Sequence, residues 1–470
     1  MNTLFPYQKG GSEWLASKRY ALLADEMGLG KSAQAVVASD LLNARPVLIL
    51  CPAVARYNWM REWQKFSSRT SNIAVVIQAA DASAIASADV TICSYDLTAN
   101  NAVMAQLSRR RWAACFLDEC HFLKSAGAGR AKAVMGKNGI IHRCDRVWAL
   151  SGTPAPNHSG ELWILLYVFG VTTLTDRQFM ERYTVEEEVQ FRGGGGHLRS
   201  KMVVRGNRNV DELKAILQPV MLRRKKDQVM TELPKIFYQD VVVEPRDVPI
   251  EVKEKHFANY IIQPKQFGID IDAQQRALQT LVADLGLGND GMKILEGLDP
   301  KVKTLRRWIG LQKVYSVLDM VRGELESGAY EKIVLFGVHR CVIEELQEGL
   351  KDFGAVSIYG GTDPKRRDRA VKRFQEDPRC RVFVGQTVAA GTAITLTAAH
   401  HVGVVEADWV PANNQQAVMR VHRIGQTKPV TVRFFSMANS VDERVQQVLK
   451  RKTRDLTELF DTPADPFSED

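Results

Sequence analysis

The chain has 470 residues, 45% of them hydrophobic and 25% charged, and its 63 basic against 54 acidic residues leave a net charge of +9. That length exceeds one ordinary core and predicts two or more domains of a soluble globular protein, while the positive balance points to an anionic partner, nucleic acid first, with a generally basic surface as the alternative. No apolar run approaches the ~18 residues of a membrane span, the N-terminus MNTLFPYQKGG lacks a signal core, and seven scattered cysteines with no CxxC pair exclude a disulfide framework and leave the Cys120-His121 pair without zinc partners. A reduced, cytoplasmic compartment is expected, or the nucleus in a eukaryotic cell.

Residues 4–8, LFPYQ, precede an amphipathic stretch at 11–17. Gln8 stands about twenty residues ahead of the glycines of the most informative segment, YALLADEMGLGKS at 20–32, and its amide suits both edges of an adenine. There an apolar strand at 21–24 runs into a loop with Gly28 and Gly30, and Lys31-Ser32 open a helix expected to reach Leu41. Strand, glycine-rich turn and helix in that order hold phosphates: backbone N–H groups and the positive helix end face the anion. Asp25, Glu26, Met27, Gly28, Leu29, Gly30, Lys31 and Ser32 are the expected nucleotide-binding loop, with Lys31 on the β- and γ-phosphates and the Ser32 hydroxyl on Mg²⁺. Asp25 occupies the position of the first glycine in GxxxxGK[ST], so the match is imperfect.

A buried strand is expected at 46–52, then a helix at 53–66 whose Trp59, Trp63 and Phe66 form a core-facing stripe. Arg56 and Asn58 at its start are candidates for phosphate contacts. Strands follow at 89–95, ending in Ser94-Tyr95, and at 113–117, followed at once by Asp118-Glu119. Paired acids at the end of a core strand supply what a phosphate loop lacks, one carboxylate for Mg²⁺ and one to orient or deprotonate water. The strand leading into residues 147–157, VWALSGTPAPN, brings the Ser151 and Thr153 hydroxyls to a position that could sense a γ-phosphate. Alternation of strands with helical patterns predicts a parallel sheet with helices on both faces.

Residues 161–183 and 209–217 read as helical, and the glycine run at 193–196 reads as a loop or hairpin tip. The densest basic run, Arg223 to Lys226, is read as a nucleic-acid backbone contact or hinge brace, or else as a solvated helix face. A strand at 237–243 begins a second α/β series after which 250–325 is mostly helical. Strands are expected from 332, at 355–361, 381–385, 401–405 and 430–436, with a helix at 366–375. This half has no phosphate loop or acid pair, but in QQAVMRVHRIGQ at 415–426 Arg420 and Arg423 are expected three apart on one helical face. Two arginines so placed suit neutralising a transferring phosphoryl group. The tail from 462 reads as disordered.

Together LFPYQ, LADEMGLGKS, CPAVARYNW, DECH, LSGTPAPN, MLRRKKDQV with ELP, GGT with Arg367, and QAVMRVHRIGQ resemble the Swi/Snf family of superfamily-2 helicase-like ATPases. KIVLFGVH, AAGTAITLTAA and Glu406 ahead of Trp409 and Pro411 resemble its compact annealing-helicase branch. The resemblance implies an α/β fold of two RecA-like lobes with helical insertions: lobe 1 at 1–158, an insertion and linker at 159–234, a helical insertion at 235–330 leading into lobe 2 at 331–448, and a tail at 449–470. It implies ATP and Mg²⁺ as cofactors, Gln8 on adenine, Lys31 and Ser32 on phosphates and metal, Asp118 on Mg²⁺, Glu119 on water, and Arg420 and Arg423 as arginine fingers. Ser151, Thr153 and Gln416 take coupling roles, while Arg56, Ser94, Tyr95, Thr362, Arg367, Gly391 and Thr392 correspond to positions that track DNA. Departures are Cys120 in place of alanine, Ala390 and Ala393 in place of glycines, Met419 in place of an acid, and Phe5 in place of arginine. The expected activity is that of a monomeric, DNA-stimulated ATPase translocating on duplex, forked or branched DNA. A strand-separating helicase and a non-catalytic ATP-gated clamp are the alternatives.

Overall fold

The structure, a computed structural model, describes residues 4–192, 198–230, 232–257, 300–390, 394–438, 440 and 442. The glycine run at 193–196, the stretch 258–299, Gly391, Thr392, Ala393 and the tail from 449 lie outside the described residues. The described residues form two compact units, one reaching Val185 and resuming over Gly206–Glu232, the other comprising those of Glu186–Arg205 and those from Leu233 on.

The first unit carries a seven-stranded sheet. Its strands are β1 (Tyr20–Leu23), β2 (Val47–Cys51), β3 (Ile73–Val75), β4 (Val90–Ser94), β5 (Ala114–Asp118), β6 (Val147–Leu150) and, late in the chain, a two-residue strand, Met221–Leu222. Their order is β3-β4-β2-β5-β6-β1 with Met221–Leu222 outside β1, and every pairing is parallel. Such a sheet needs cover on both faces, which is why its strands are apolar without alternation. Successive side chains of one strand enter different cores: Leu48 and Leu50 pack with Cys115 and Leu117, whereas Val47 and Ile49 pack with Ala114 and Phe116. The second core holds the expected tryptophan stripe. Trp59 and Trp63, each 1% exposed, lie against Phe116, which stacks on Trp148 with centroids 5.4 Å apart.

Helices Trp163–Val168, Asp176–Tyr183 and Val210–Leu217 form a satellite core through Leu166, Phe179, Leu213 and Leu217, and Met221–Leu222 then pairs with Leu22 and Leu23. The strands flanking the glycine run, β7 (Thr184–Arg192) and β8 (Leu198–Asn207), pair with each other; we number Met221–Leu222 β9.

The second unit has a six-stranded parallel sheet in the order β10-β15-β14-β11-β13-β12. The strands are β10 (Ile236–Val243), β11 (Ile333–Gly337), β12 (Val356–Ile358), β13 (Val382–Gln386), β14 (His401–Val404) and β15 (Val430–Met437). Here too Ile333 and Leu335 face one core and Val334 and Phe336 the other. Both units are thus RecA-like α/β lobes, and the strand at 237–243 does open the second one. All seven cysteines are unbridged and buried, and among the described residues no helix is long and apolar enough to cross a membrane.

Candidate active site

In the first unit, helix α1 (Pro6–Ser17) precedes β1, and helix α2 (Lys31–Leu41) follows the loop. Gly28 and Gly30 take left-handed φ angles of 92° and 75°, and a Cβ on Gly30 would lie 2.4 Å from Gln8 Nε2. Only glycine fits that turn without strain. Gln8 is buried; its Oε1 accepts from Phe5 N at 3.0 Å and its Nε2 donates to Leu29 O at 3.2 Å, tying α1 to the loop. Lys31 folds back so that Nζ donates to the carbonyls of Asp25 (2.7 Å) and Glu26 (3.3 Å). Burial draws its pKa down, and the charges of Glu119, Asp25 and Asp118 push it back up.

Asp25 has a partner that its sequence neighbours do not reveal. Arg224 donates from Nε to Oδ1 (3.0 Å) and from Nη2 to Oδ2 (2.6 Å), and also reaches Gln34 Oε1 and Tyr7 O; both charged side chains are sealed. Gly11 allows this approach, since a Cβ there would overlap Gln34 and Arg224. Lys226 N donates to Glu26 Oε2, and Arg223 Nη1 to the carbonyls of Ala24 and Gly152. The basic run is therefore neither a solvated face nor an outward nucleic-acid contact: three of its residues fold onto the phosphate loop.

At the end of β5, Asp118 is half-buried. Its Oδ2 accepts from Trp59 Nε1 at 2.7 Å, and its main-chain oxygen accepts from Tyr95 Oη at 2.7 Å. Burial, helped by the neighbouring Glu119 charge, raises the Asp118 pKa to about 7, against the pull of the Trp59 hydrogen bond and Lys31. Glu119 adopts φ 49°, ψ 53°, a left-handed conformation that costs a residue with a Cβ about 1–2 kcal/mol. Strain of this kind collects where a side chain must be aimed. Ser151 Oγ, at the end of β6, donates to Glu119 Oε2 at 3.4 Å, and His121 Nδ1 lies 3.1 Å from Ser151 Oγ and 3.3 Å from Glu119 Oε2. Burial lowers the His121 pKa, so the imidazole is neutral at physiological pH and aligns Glu119 as a dipole, not as a cation. The Thr153 hydroxyl is buried with no hydrogen-bond partner among the described residues. The strands carrying these groups, β5, β6 and β1, are adjacent, so Lys31, Asp118, Glu119 and Ser151 gather at one carboxyl edge. Asp118 and the Ser32 hydroxyl are hard oxygen donors of the kind Mg²⁺ takes alongside phosphate oxygens and water.

In the second unit, the helix Pro411–Val418 stops before the two arginines. Arg420 and Arg423 lie on the turn beyond it, not on a helical face. The carbonyl of Arg420 is taken by Leu396 N (2.9 Å) and that of Val421 by Gln426 Nε2 (3.3 Å), which removes the acceptors another helical turn would need. Arg423 Nη1 donates to Ile394 O at 3.1 Å, and Gln416 is buried with Nε2 unpartnered among the described residues.

The expected DNA-tracking residues fare unevenly. Arg56 is half-buried and donates to the carbonyls of Ala53, Val76 and Ile77. Ser94 and Tyr95 are 2% and 1% exposed and face inward. Thr362 closes a turn by accepting from Tyr359 N, and Arg367 donates to Ala389 O. Trp59, Arg224 and His121 were not expected in the site. Each nevertheless falls in a segment that carries the resemblance: Trp59 ends CPAVARYNW, Arg224 lies in MLRRKKDQV and His121 ends DECH.

A sequence profile of the SNF2-related domain matches residues 7–270, and one of the helicase conserved C-terminal domain matches 313–425. The chain is 28% identical over 464 residues to the DNA annealing helicase and endonuclease ZRANB3 of Bos taurus, covering 96% of this chain and 40% of that protein. It is 27% identical over 463 residues to the SWI/SNF-related matrix-associated actin-dependent regulator of chromatin subfamily A-like protein 1 of Xenopus tropicalis, covering 97% and 45%. It thus spans less than half the length of these relatives. Among solved structures it is similar to the Sulfolobus solfataricus SWI2/SNF2 ATPase core in complex with dsDNA, with a TM-score of 0.42, 22% identity and coverage of 98% and 93%.

Proposed function

Because the chain belongs to the SNF2-related family of helicase-like ATP hydrolases, we propose that it hydrolyses ATP in response to double-stranded DNA and uses the cycle to move along the duplex. The observation that carries this reading is the convergence of Lys31, Asp118, Glu119 and Ser151 at the carboxyl edge of three adjacent strands. Ligands bind at that edge in sheets of this class.

In this reading Gln8 recognises adenine, and Lys31 exchanges the carbonyls of Asp25 and Glu26 for phosphate oxygens. Ser32 and Asp118 hold Mg²⁺, which supplies charge neutralisation across the phosphates. Glu119, aimed by its left-handed backbone and held by Ser151 and His121, orients the attacking water and accepts its proton. Arg420 and Arg423 neutralise charge on the transferring phosphoryl group, and Ser151, Thr153 and Gln416 couple the nucleotide state to the grip on DNA. Thr362, Arg367, Gly391, Thr392 and Arg56 make sequence-independent backbone contacts, so binding weakens steeply with salt. Relatives named as DNA annealing helicases support remodelling or annealing of DNA as the output; in this reading duplex or forked DNA is the track and a monomer the acting form.

The test is the ATPase rate with duplex, single-stranded and forked DNA and with RNA, at two salt concentrations. Stimulation by duplex that fades at the higher salt is expected; equal rates with and without DNA would overturn the reading.

A further inference from the structure

Two polar groups inside the first unit end on the same residue. Trp59 Nε1 donates to the carboxylate of Asp118, and Tyr95 Oη donates to its main-chain oxygen, each at 2.7 Å. Both donors are 1% exposed, while Asp118 itself is half-buried. Trp59 lies one turn inside helix α3 (Arg56–Phe66), whose first residue is Arg56. Tyr95 follows β4; its N–H donates to Cys51 O at the end of β2, and its hydroxyl extends past that strand to the end of β5.

Packing alone does not call for this arrangement. An indole and a phenol need a partner for one polar atom when buried, and either can find it on any nearby carbonyl. Trp63, one turn further along the same helix and equally buried, does something different: its Nε1 points to Ser71 Oγ at 3.4 Å. Trp59 instead fixes one oxygen of the carboxylate, a charge-assisted bond when the acid is ionised. Tyr95 fixes the peptide unit directly ahead of Glu119, the residue held at φ 49°.

We infer that Trp59 and Tyr95 are positioning residues that hold Asp118 and the Asp118–Glu119 peptide in the geometry metal binding requires, and that α3 conveys the engagement of Arg56 by DNA to this carboxylate through Trp59. The inference rests on the reading above, in which Asp118 holds Mg²⁺ and Arg56 faces the DNA backbone. A helix moves as a rigid element, so a displacement of its first turn by a bound phosphate moves the Trp59 indole with it. Outer partners of metal-holding carboxylates typically contribute about 10- to 100-fold in metal affinity.

The test compares Tyr95→Phe, which removes only the hydroxyl, and Trp59→Phe with Trp63→Phe as a packing control. The first measurement is the Mg²⁺ midpoint for binding a fluorescent non-hydrolysable ATP analogue without DNA. The second is the ratio of ATPase rates with and without saturating duplex, alongside duplex affinity and thermal unfolding. The expected result is a midpoint raised about 10-fold or more in Tyr95→Phe and Trp59→Phe. Trp59→Phe also loses duplex stimulation at unchanged duplex affinity, and Trp63→Phe loses stability alone. If Tyr95→Phe keeps the wild-type midpoint and Trp59→Phe matches Trp63→Phe in every measurement, both residues are packing residues and the inference fails. A wild-type protein whose analogue binding ignores Mg²⁺, or whose turnover ignores duplex, overturns the underlying reading before any variant is compared.

Discussion

The ammonium of Lys31 rests 2.7 Å from the carbonyl oxygen of Asp25, inside the loop it is expected to open for phosphate. A half-buried cation that forms no direct ion pair finds the nearest backbone dipoles, and desolvation lowers its pKa against the pull of the Glu119, Asp25 and Asp118 charges. Lys31→Ala removes the cation and leaves the loop's glycines and caps in place. Turnover should fall to background and affinity for ATP should drop, measured by steady-state ATPase and nucleotide titration. Unchanged turnover would remove the phosphate assignment.

Glu119→Gln keeps the side chain's shape and its hydrogen bond from Ser151 while abolishing its basicity. ATP binding should persist and hydrolysis should fall about 10²- to 10⁴-fold. Single-turnover rates with analogue binding separate the two; loss of binding would make Glu119 a structural residue.

Asp118→Asn carries a pH signature. Burial raises the folded-state pKa of Asp118 from 3.8 to about 7, so folding favours its protonated form. The penalty for ionising it is absent below pH 3.8, grows as pH rises and is complete above about 7. Without Mg²⁺, Asp118→Asn should therefore unfold at a higher temperature than the wild type at pH 8, by about 2–4 °C per kcal/mol recovered, and at the same temperature near pH 4. ATPase should be lost at every pH. A destabilised asparagine variant at pH 8 would show that the carboxylate's hydrogen bonds outweigh its desolvation.

Arg224→Met leaves Asp25 buried without its counterion, which typically costs about 3–5 kcal/mol. The double variant Asp25→Leu/Arg224→Met should be less destabilised than either single change, because no unpaired charge remains. Urea unfolding of the four proteins closes the cycle.

Arg423→Ala should lower the hydrolysis rate about 10²- to 10³-fold with ATP affinity unchanged. Loss of its hydrogen bond to Ile394 O typically costs about 1 kcal/mol. A variant that loses only stability would return Arg423 to the surface.

The strands of both sheets were legible because a parallel strand covered on two faces is a short unbroken apolar run, as in VLILC at β2 and IVLFG at β11. What escaped was every feature whose cause lies far along the chain. β9 is two residues long and exists because Leu22 and Leu23, about 200 positions earlier, offer an edge. Arg223 to Lys226 look like a solvated basic run because Asp25, which neutralises Arg224, is 199 residues away. Trp59 was read as core, correctly, but helical spacing says nothing about where an indole N–H points. The arginine segment has helical periodicity to its end, yet the helix stops at Val418, and the carbonyls of Arg420 and Val421 are taken by Leu396 and Gln426 instead. Tyr95 was assigned by resemblance to a DNA-tracking position, and nothing in its local sequence shows that its hydroxyl ends on the main-chain oxygen of Asp118.

Asp25 leaves the ribosome long before Arg224 is translated. While the chain emerges, β1 is an open edge and the loop beside it holds a carboxylate with nothing to offset it. Strand β9 and the guanidinium arrive together, two residues apart, and close both gaps in one step. The loop at 25–32 therefore gains its full set of side-chain contacts only once the segment leading into the second unit has been made.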